Sequence, residues 1–257
     1  MTRKRKNKKK PFYKKKKFHK VITIIIVFCL IVIFYHTIDK NDILKNQNKA
    51  VIIDQLSSSL PNQSFVQKTK SILKDSGYDV DYIPSNMVTV DFYKNLPERN
   101  YKIIIIRSHS TVGNFSSKFA LFTSEKYDTN KYVYNQIHNQ VGQVKLTEDS
   151  KGYFSIYPEF IRYCMNGRLD DAIVFMMGCG GTVYPEMHKA FFDKGANAYF
   201  GWDERVDITH TDKATISLLN NILVDKLNLE KATEKTNIEI GPDPTYNSNL
   251  WYFISSK

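Results

Sequence analysis

Residues 172–181 read Ala-Ile-Val-Phe-Met-Met-Gly-Cys-Gly-Gly. The first six are apolar, short in extent and include Ile173, Val174 and Phe175, the pattern of a strand buried on both faces. The run stops at Gly178-Cys179-Gly180-Gly181. Glycine lets a backbone turn sharply and approach a ligand closely. Open α/β sheets carry their sites at the carboxyl ends of the strands. A cysteine there, with no bulky neighbour on either side, is predicted to face a ligand, and the rest of the chain is read as its scaffold.

Working outward, apolar strands alternate with segments of helical period. Val51-Ile52-Ile53 is a first strand. Ser64 is placed to cap a helix whose apolar positions are Phe65, Val66, Thr69, Ile72 and Leu73, with Gly77 as its stop. Tyr78 to Ile83 is a second strand, and a short helix is expected around Asp91 to Leu96. Tyr101 to Arg107 contains four consecutive isoleucines, Ile103 to Ile106, and ends at Ser108-His109-Ser110. Ala120 to Phe122, Lys131 to Tyr134, Gln143 to Leu146 and Tyr153 to Ile156 read as short strands of an insertion. A helix opens at Pro158 with Phe160, Ile161, Cys164 and Met165 on one face. After the Cys179 strand come a helix carrying Val183, Met187, Ala190 and Phe191, a fifth strand over Ala196 to Gly201, and a long amphipathic helix over Thr211 to Leu227. This alternation predicts an α/β fold with a mostly parallel sheet and helices on both faces.

The net charge of +11 suggests a nucleic-acid binder until it is located. Residues 1–20 hold 12 of the 37 Lys and Arg and none of the 26 Asp and Glu, which leaves 25 basic against 26 acidic side chains elsewhere. The folded part has no bulk electrostatic attraction to a polyanion, and no nucleic-acid partner is expected. Behind the basic tail, residues 21–38 carry no charge and no proline. Their length suits a single membrane-spanning helix. The rival is a cleaved signal peptide, but no small-x-small site follows, and Phe28 before Cys29 does not suit a lipoprotein. The expected order is a basic cytoplasmic tail (1–20), a transmembrane signal anchor (21–38), a short linker (39–49) and one extracytoplasmic domain (50–257), oriented by the positive flank.

Two central strands thus end in reactive residues, one in His109 and the other in Cys179. If the strands are parallel neighbours, imidazole and thiol emerge on one edge of the sheet. A cysteine becomes a nucleophile beside a base or with a lowered pKa, and backbone N–H groups freed at the turns can hold an oxyanion. The N–H groups of Ser110 and Cys179 are the candidate donors, with Gly178 and Gly180 beside them as candidate oxyanion or substrate-binding residues.

A histidine ending the third strand and a cysteine ending the fourth, 70 residues later, resembles the layout of the caspase-like cysteine peptidases, which include gingipains, clostripain, legumain, separase and the caspases. Ser108-His109 follows an isoleucine-rich strand, and Cys179 has Gly181 two residues on, similar to the caspase pattern Gln-Ala-Cys-x-Gly. Residues 192–202, from Phe192 to Trp202, are similar to the helix and fifth strand of gingipain-type members. The likeness spans roughly residues 50–225. The chain departs from the family in having Met177-Gly178 before the cysteine, Ser110 where a glycine often follows the histidine, and a His-to-Cys gap longer than about 50. The resemblance implies a three-layer α/β/α sandwich, a Cys179–His109 dyad acting through an acyl-enzyme, no cofactor, and a peptide or protein substrate. It also makes Asp203, at the end of the fifth strand, the candidate acid of a basic-residue S1 pocket.

Each residue has a plainer reading. Cys179 is also a small buried hydrophobe, Asp203 a turn cap, and Cys164 core. A Cys164–Cys179 disulfide would silence the nucleophile. His138, His188 and His210 form no metal-binding spacing and read as surface residues. Asn62-Gln-Ser64 and Asn114-Phe-Ser116 are glycosylation sequons. A degenerate domain acting as a surface binding module, or another cysteine-dependent amidohydrolase, remains open beside the peptidase.

Overall fold

The computed structural model describes residues 25–33, 48–111, 119–148 and 150–256. The chain divides into two compact units, residues 1–46 and 47–257. In the first, residues 25–33 are helical. The rest of the predicted span over 21–38 lies outside the described residues, as does Asn114. Among the described residues no helix is long and apolar enough to cross a membrane.

The second unit is built on a six-stranded sheet in the order β10-β9-β8-β3-β1-β2. Its strands are β1 (Lys49–Asp54), β2 (Asp79–Pro84), β3 (Tyr101–Arg107), β8 (Ile173–Met176), β9 (Ala198–Trp202) and β10 (Leu250–Ile254). All neighbours are parallel except β9 and β10. The isoleucine run of β3 shows why this sheet needs cover on both sides. Successive side chains of a strand point to opposite faces, so Ile104 and Ile106 join one core and Ile103 and Ile105 the other. All four are essentially inaccessible to water, each contributing about 1.5–3 kcal/mol of burial. Val174 and Met176 of β8 fall on the first face, Phe175 on the second.

Helices cover both faces. α1 (Gln63–Asp75), α6 (Ile208–Leu219) and α7 (Leu229–Ile240) pack on the second. α2 (Val90–Lys94), α4 (Pro158–Cys164) and α5 (Pro185–Asp193) pack on the first. A second, antiparallel sheet follows β3, in the order β4-β5-β7-β6, with β4 (Ser110–Thr111), β5 (Ala120–Lys126), β6 (Val141–Val144) and β7 (Tyr153–Ile156).

Several sequence expectations are corrected. The α1 cap is Asn62, whose Oδ1 accepts from the Phe65 N–H at 3.0 Å, and Ser64 lies inside the helix. Lys131 to Tyr134 is not a strand: α3 (Val133–Ile137) occupies that region. The helix expected over Thr211 to Leu227 starts at Ile208, because Asp207 caps it, and turns into a π-helical stretch at Asn220–Val224. α7 and β10 had no counterpart in the sequence reading. His188 is buried, not a surface residue.

Candidate active site

The register of the central strands places the two reactive loops side by side. β3 and β8 pair in parallel from Ile103 opposite Ile173 to Ile106 opposite Met176. The pairing continues one residue past β8, where the Met177 N–H donates to the Ile106 carbonyl at 3.0 Å. His109 and Cys179 therefore leave the same edge of the sheet from adjacent strands. The Ser110 hydroxyl bridges the loops, donating to the Cys179 carbonyl at 2.7 Å.

His109 is half-buried. Its N–H donates to Gln55 Oε1 at 3.1 Å, and its carbonyl accepts from the Phe122 N–H at 3.1 Å. Its ring lies against Phe122, with centroids 5.8 Å apart. Burial, and then the positive charge of Arg107, hold its pKa below the ordinary histidine value. The imidazole is therefore neutral at pH 7, the form that can accept a thiol proton.

Cys179 is also half-buried and unpaired, as is Cys164. The thiol lies 3.8 Å from the Val206 carbonyl and packs on the second core. Among the described residues no hydrogen bond joins it to His109. Cys164 is engaged elsewhere, donating to Gln140 Oε1 at 3.0 Å.

The N–H groups differ in what they are free to do. The Phe122 N–H donates to the His109 carbonyl, so the next position, Ser110 opposite Leu121, turns its N–H away from β5. Among the described residues nothing accepts from the N–H groups of Ser110, Gly178 or Cys179. Gly180 is different: its N–H donates to the Glu204 carbonyl at 2.8 Å and is committed to the loop itself. Its φ of +65° is the left-handed region that favours glycine. Asp203 is also occupied. Its Oδ1 accepts from the Asn249 N–H at 2.7 Å and its Oδ2 from Trp251 Nε1 at 2.8 Å, fastening the end of β9 to β10.

No protein-family model matches the chain, and no curated protein matches it either. The site is thus read from its own geometry.

Four residues that the sequence reading passed over hold the histidine loop. Gln55 Oε1 takes the His109 N–H, and the Gln55 N–H donates to the Arg107 carbonyl at 2.9 Å. Arg107, only 1% exposed, donates to Asp54 at 2.9 Å, to Asp212 at 2.8 and 3.1 Å, and to the Leu60 carbonyl at 2.9 Å. Burial raises the Asp54 pKa, and the guanidinium works against that. A charge closing an apolar strand is a legible signal, present at both Asp54 and Arg107. Nothing local marks Asp212, which arrives on α6 from 105 residues away. Asn62 of the first sequon is itself tied in, its Nδ2 donating to Asp212 at 2.8 Å. Among the described residues no cluster of His, Cys, Asp and Glu is arranged to hold a metal.

Proposed function

We propose that the domain is a caspase-like cysteine peptidase, tethered to the membrane by residues 21–38, that cleaves peptide bonds through a Cys179–His109 dyad. The observation that carries this reading is the 2.7 Å bond between the Ser110 hydroxyl and the Cys179 carbonyl, which brings the histidine and cysteine loops together at one edge of the sheet. In the proposed reaction the neutral His109 takes the Cys179 proton. The thiolate attacks the scissile carbonyl, and the oxyanion is received by the N–H groups of Ser110 and Cys179. The imidazolium then protonates the leaving amine, and water releases the acyl group. Asp203 does not enter this scheme as an S1 acid, because both of its oxygens serve the β9–β10 junction. Labelling of Cys179 by a thiol-directed peptidyl inhibitor tests the proposal. Failure of a broad panel to label it would remove the activity.

One observation favours a second reading, a binding module on the same fold. The thiol is directed to the Val206 carbonyl and the imidazole to Phe122, so each side chain has a wall of its own. A domain that binds peptides at this edge of the sheet without labelling or turnover would fit it.

A further inference from the structure

The cysteine loop has several fastenings to β9 and to the residues just past it. The Gly180 N–H donates to Glu204, the Thr182 N–H to the Trp202 carbonyl at 3.0 Å, and the Tyr199 hydroxyl to the Gly181 carbonyl at 2.9 Å. Beyond Met177, among the described residues, one bond alone ties this loop to the histidine side, and it comes from the Ser110 hydroxyl. The two bonds at the Cys179–Gly180 peptide fall on opposite ends of one planar unit. Its carbonyl oxygen accepts from Ser110 and its N–H donates to Glu204. Turning this planar unit would break both bonds, so together they hold the conformation on each side of it, including the left-handed Gly180. The fit leaves no room for a side chain at 178. A Cβ there would lie 2.4 Å from Ser110 Oγ, 2.6 Å from the Ser108 carbonyl oxygen and 2.7 Å from Met176 Cε. Gly178 is a glycine so that the histidine loop can close onto the cysteine loop.

We propose that the Ser110 side chain is a positioning residue: with the Glu204 carbonyl it clamps the Cys179–Gly180 peptide and so fixes the cysteine loop beside the histidine loop. As a statement about catalysis, this rests on the peptidase reading above. The test uses the full-length protein and two variants, Ser110→Ala, which deletes the hydroxyl, and Ser110→Thr, which keeps it. Hydrogen exchange of the peptide spanning residues 177–184 reports the clamp, and turnover of a fluorogenic peptide chosen from a mixed P1 library reports catalysis. Ser110→Ala is expected to speed exchange of the Gly180 amide and to lower kcat, each by about five- to tenfold, the size of one ordinary hydrogen bond. KM should not change, and Ser110→Thr should restore both readouts. Unchanged exchange in Ser110→Ala overturns the clamp whatever the activity. Faster exchange with unchanged kcat overturns the positioning role. Faster exchange in a protein whose parent form turns over no peptide supports the clamp and sinks the peptidase reading, so the two failures are told apart.

Discussion

Arg107 and His109 stand two residues apart at the end of one strand, and their surroundings are opposite. The Arg107 guanidinium is sealed from water and bonded to two carboxylates and a carbonyl. The His109 imidazole is half-buried and, among the described residues, has ring packing but no hydrogen bond. A buried charge with a bond at each of its three nitrogens has little left to offer a substrate. Removing it exposes the cost of the charges it leaves behind. A ring held only through its own backbone can still bond to a ligand. Saturation therefore separates the group that holds this edge of the sheet from the group that is able to work there.

The contrast is broken most severely by substitution in the pair itself. Cys179→Ala should abolish peptide turnover, and His109→Ala should lower kcat by about 10³-fold or more, because members of a catalytic unit fail together. Both should leave unfolding within about 1 kcal/mol of the parent. A His109→Ala protein with full activity would show that the ring is ornamental.

Arg107→Met is the complementary strike. It leaves Asp54 and Asp212 buried without their cation and should cost about 3–5 kcal/mol of stability, read from the denaturant midpoint. A loss below about 1 kcal/mol would mean that the carboxylates find other partners, and the contrast with His109 would lapse.

Asp203→Ala should cost less, about 1–2 kcal/mol, for two bonds at the rim of the β9–β10 junction. The P1 preference of any peptidase activity should stay as it was. A lost preference for Arg or Lys, measured on a P1-varied substrate set, would return Asp203 to the binding pocket.

The smallest expected effect is a pH dependence. Burial lowers the pKa of both His109 and His188 below their ordinary 6.5. The next influence is Arg107 for the former and the charge of Lys189 for the latter, which Glu186 opposes. His188 stacks on Phe253 with ring centroids 4.2 Å apart, and among the described residues its buried Nδ1 has no hydrogen-bond partner. The unfolded chain then binds these protons before the folded one does, so stability falls as pH drops through about 6.5 and levels off below the folded pKa values. His188→Phe should make that fall shallower in thermal melts taken between pH 7.5 and 5. A steeper fall would reverse the sign. The acid limb of kcat/KM should lie below the ordinary histidine value, since neutral His109 is the working form.

The alternation of apolar runs with helical periods was enough to place the central strands, because burial on two faces demands uninterrupted apolar residues and a parallel sheet demands crossovers. The same runs, by where they stop, marked His109 and Cys179 as strand-end residues. The antiparallel β10 escaped detection, since only Leu250 of its five residues is fully buried and no hairpin turn announces it. The end of α6 and the helix at Val133–Ile137 were misread because local period does not specify where a cap or a π turn falls.

What the sequence by itself determined is the chemistry within reach of one strand end: a thiol among glycines, an imidazole after four isoleucines, a basic tail ahead of an uncharged stretch. Only the tertiary structure decided which groups meet. That β3 and β8 are neighbours, that Ser110 and Glu204 hold the two ends of one peptide, that Gly180 and Asp203 are already engaged, and that Asp212 arrives to neutralise Arg107 all depend on contacts between residues far apart in the chain. Local pattern reports which side chains are driven from water. Pairing across a sheet and satisfaction of buried polar groups are properties of the assembled whole, and no local window contains them.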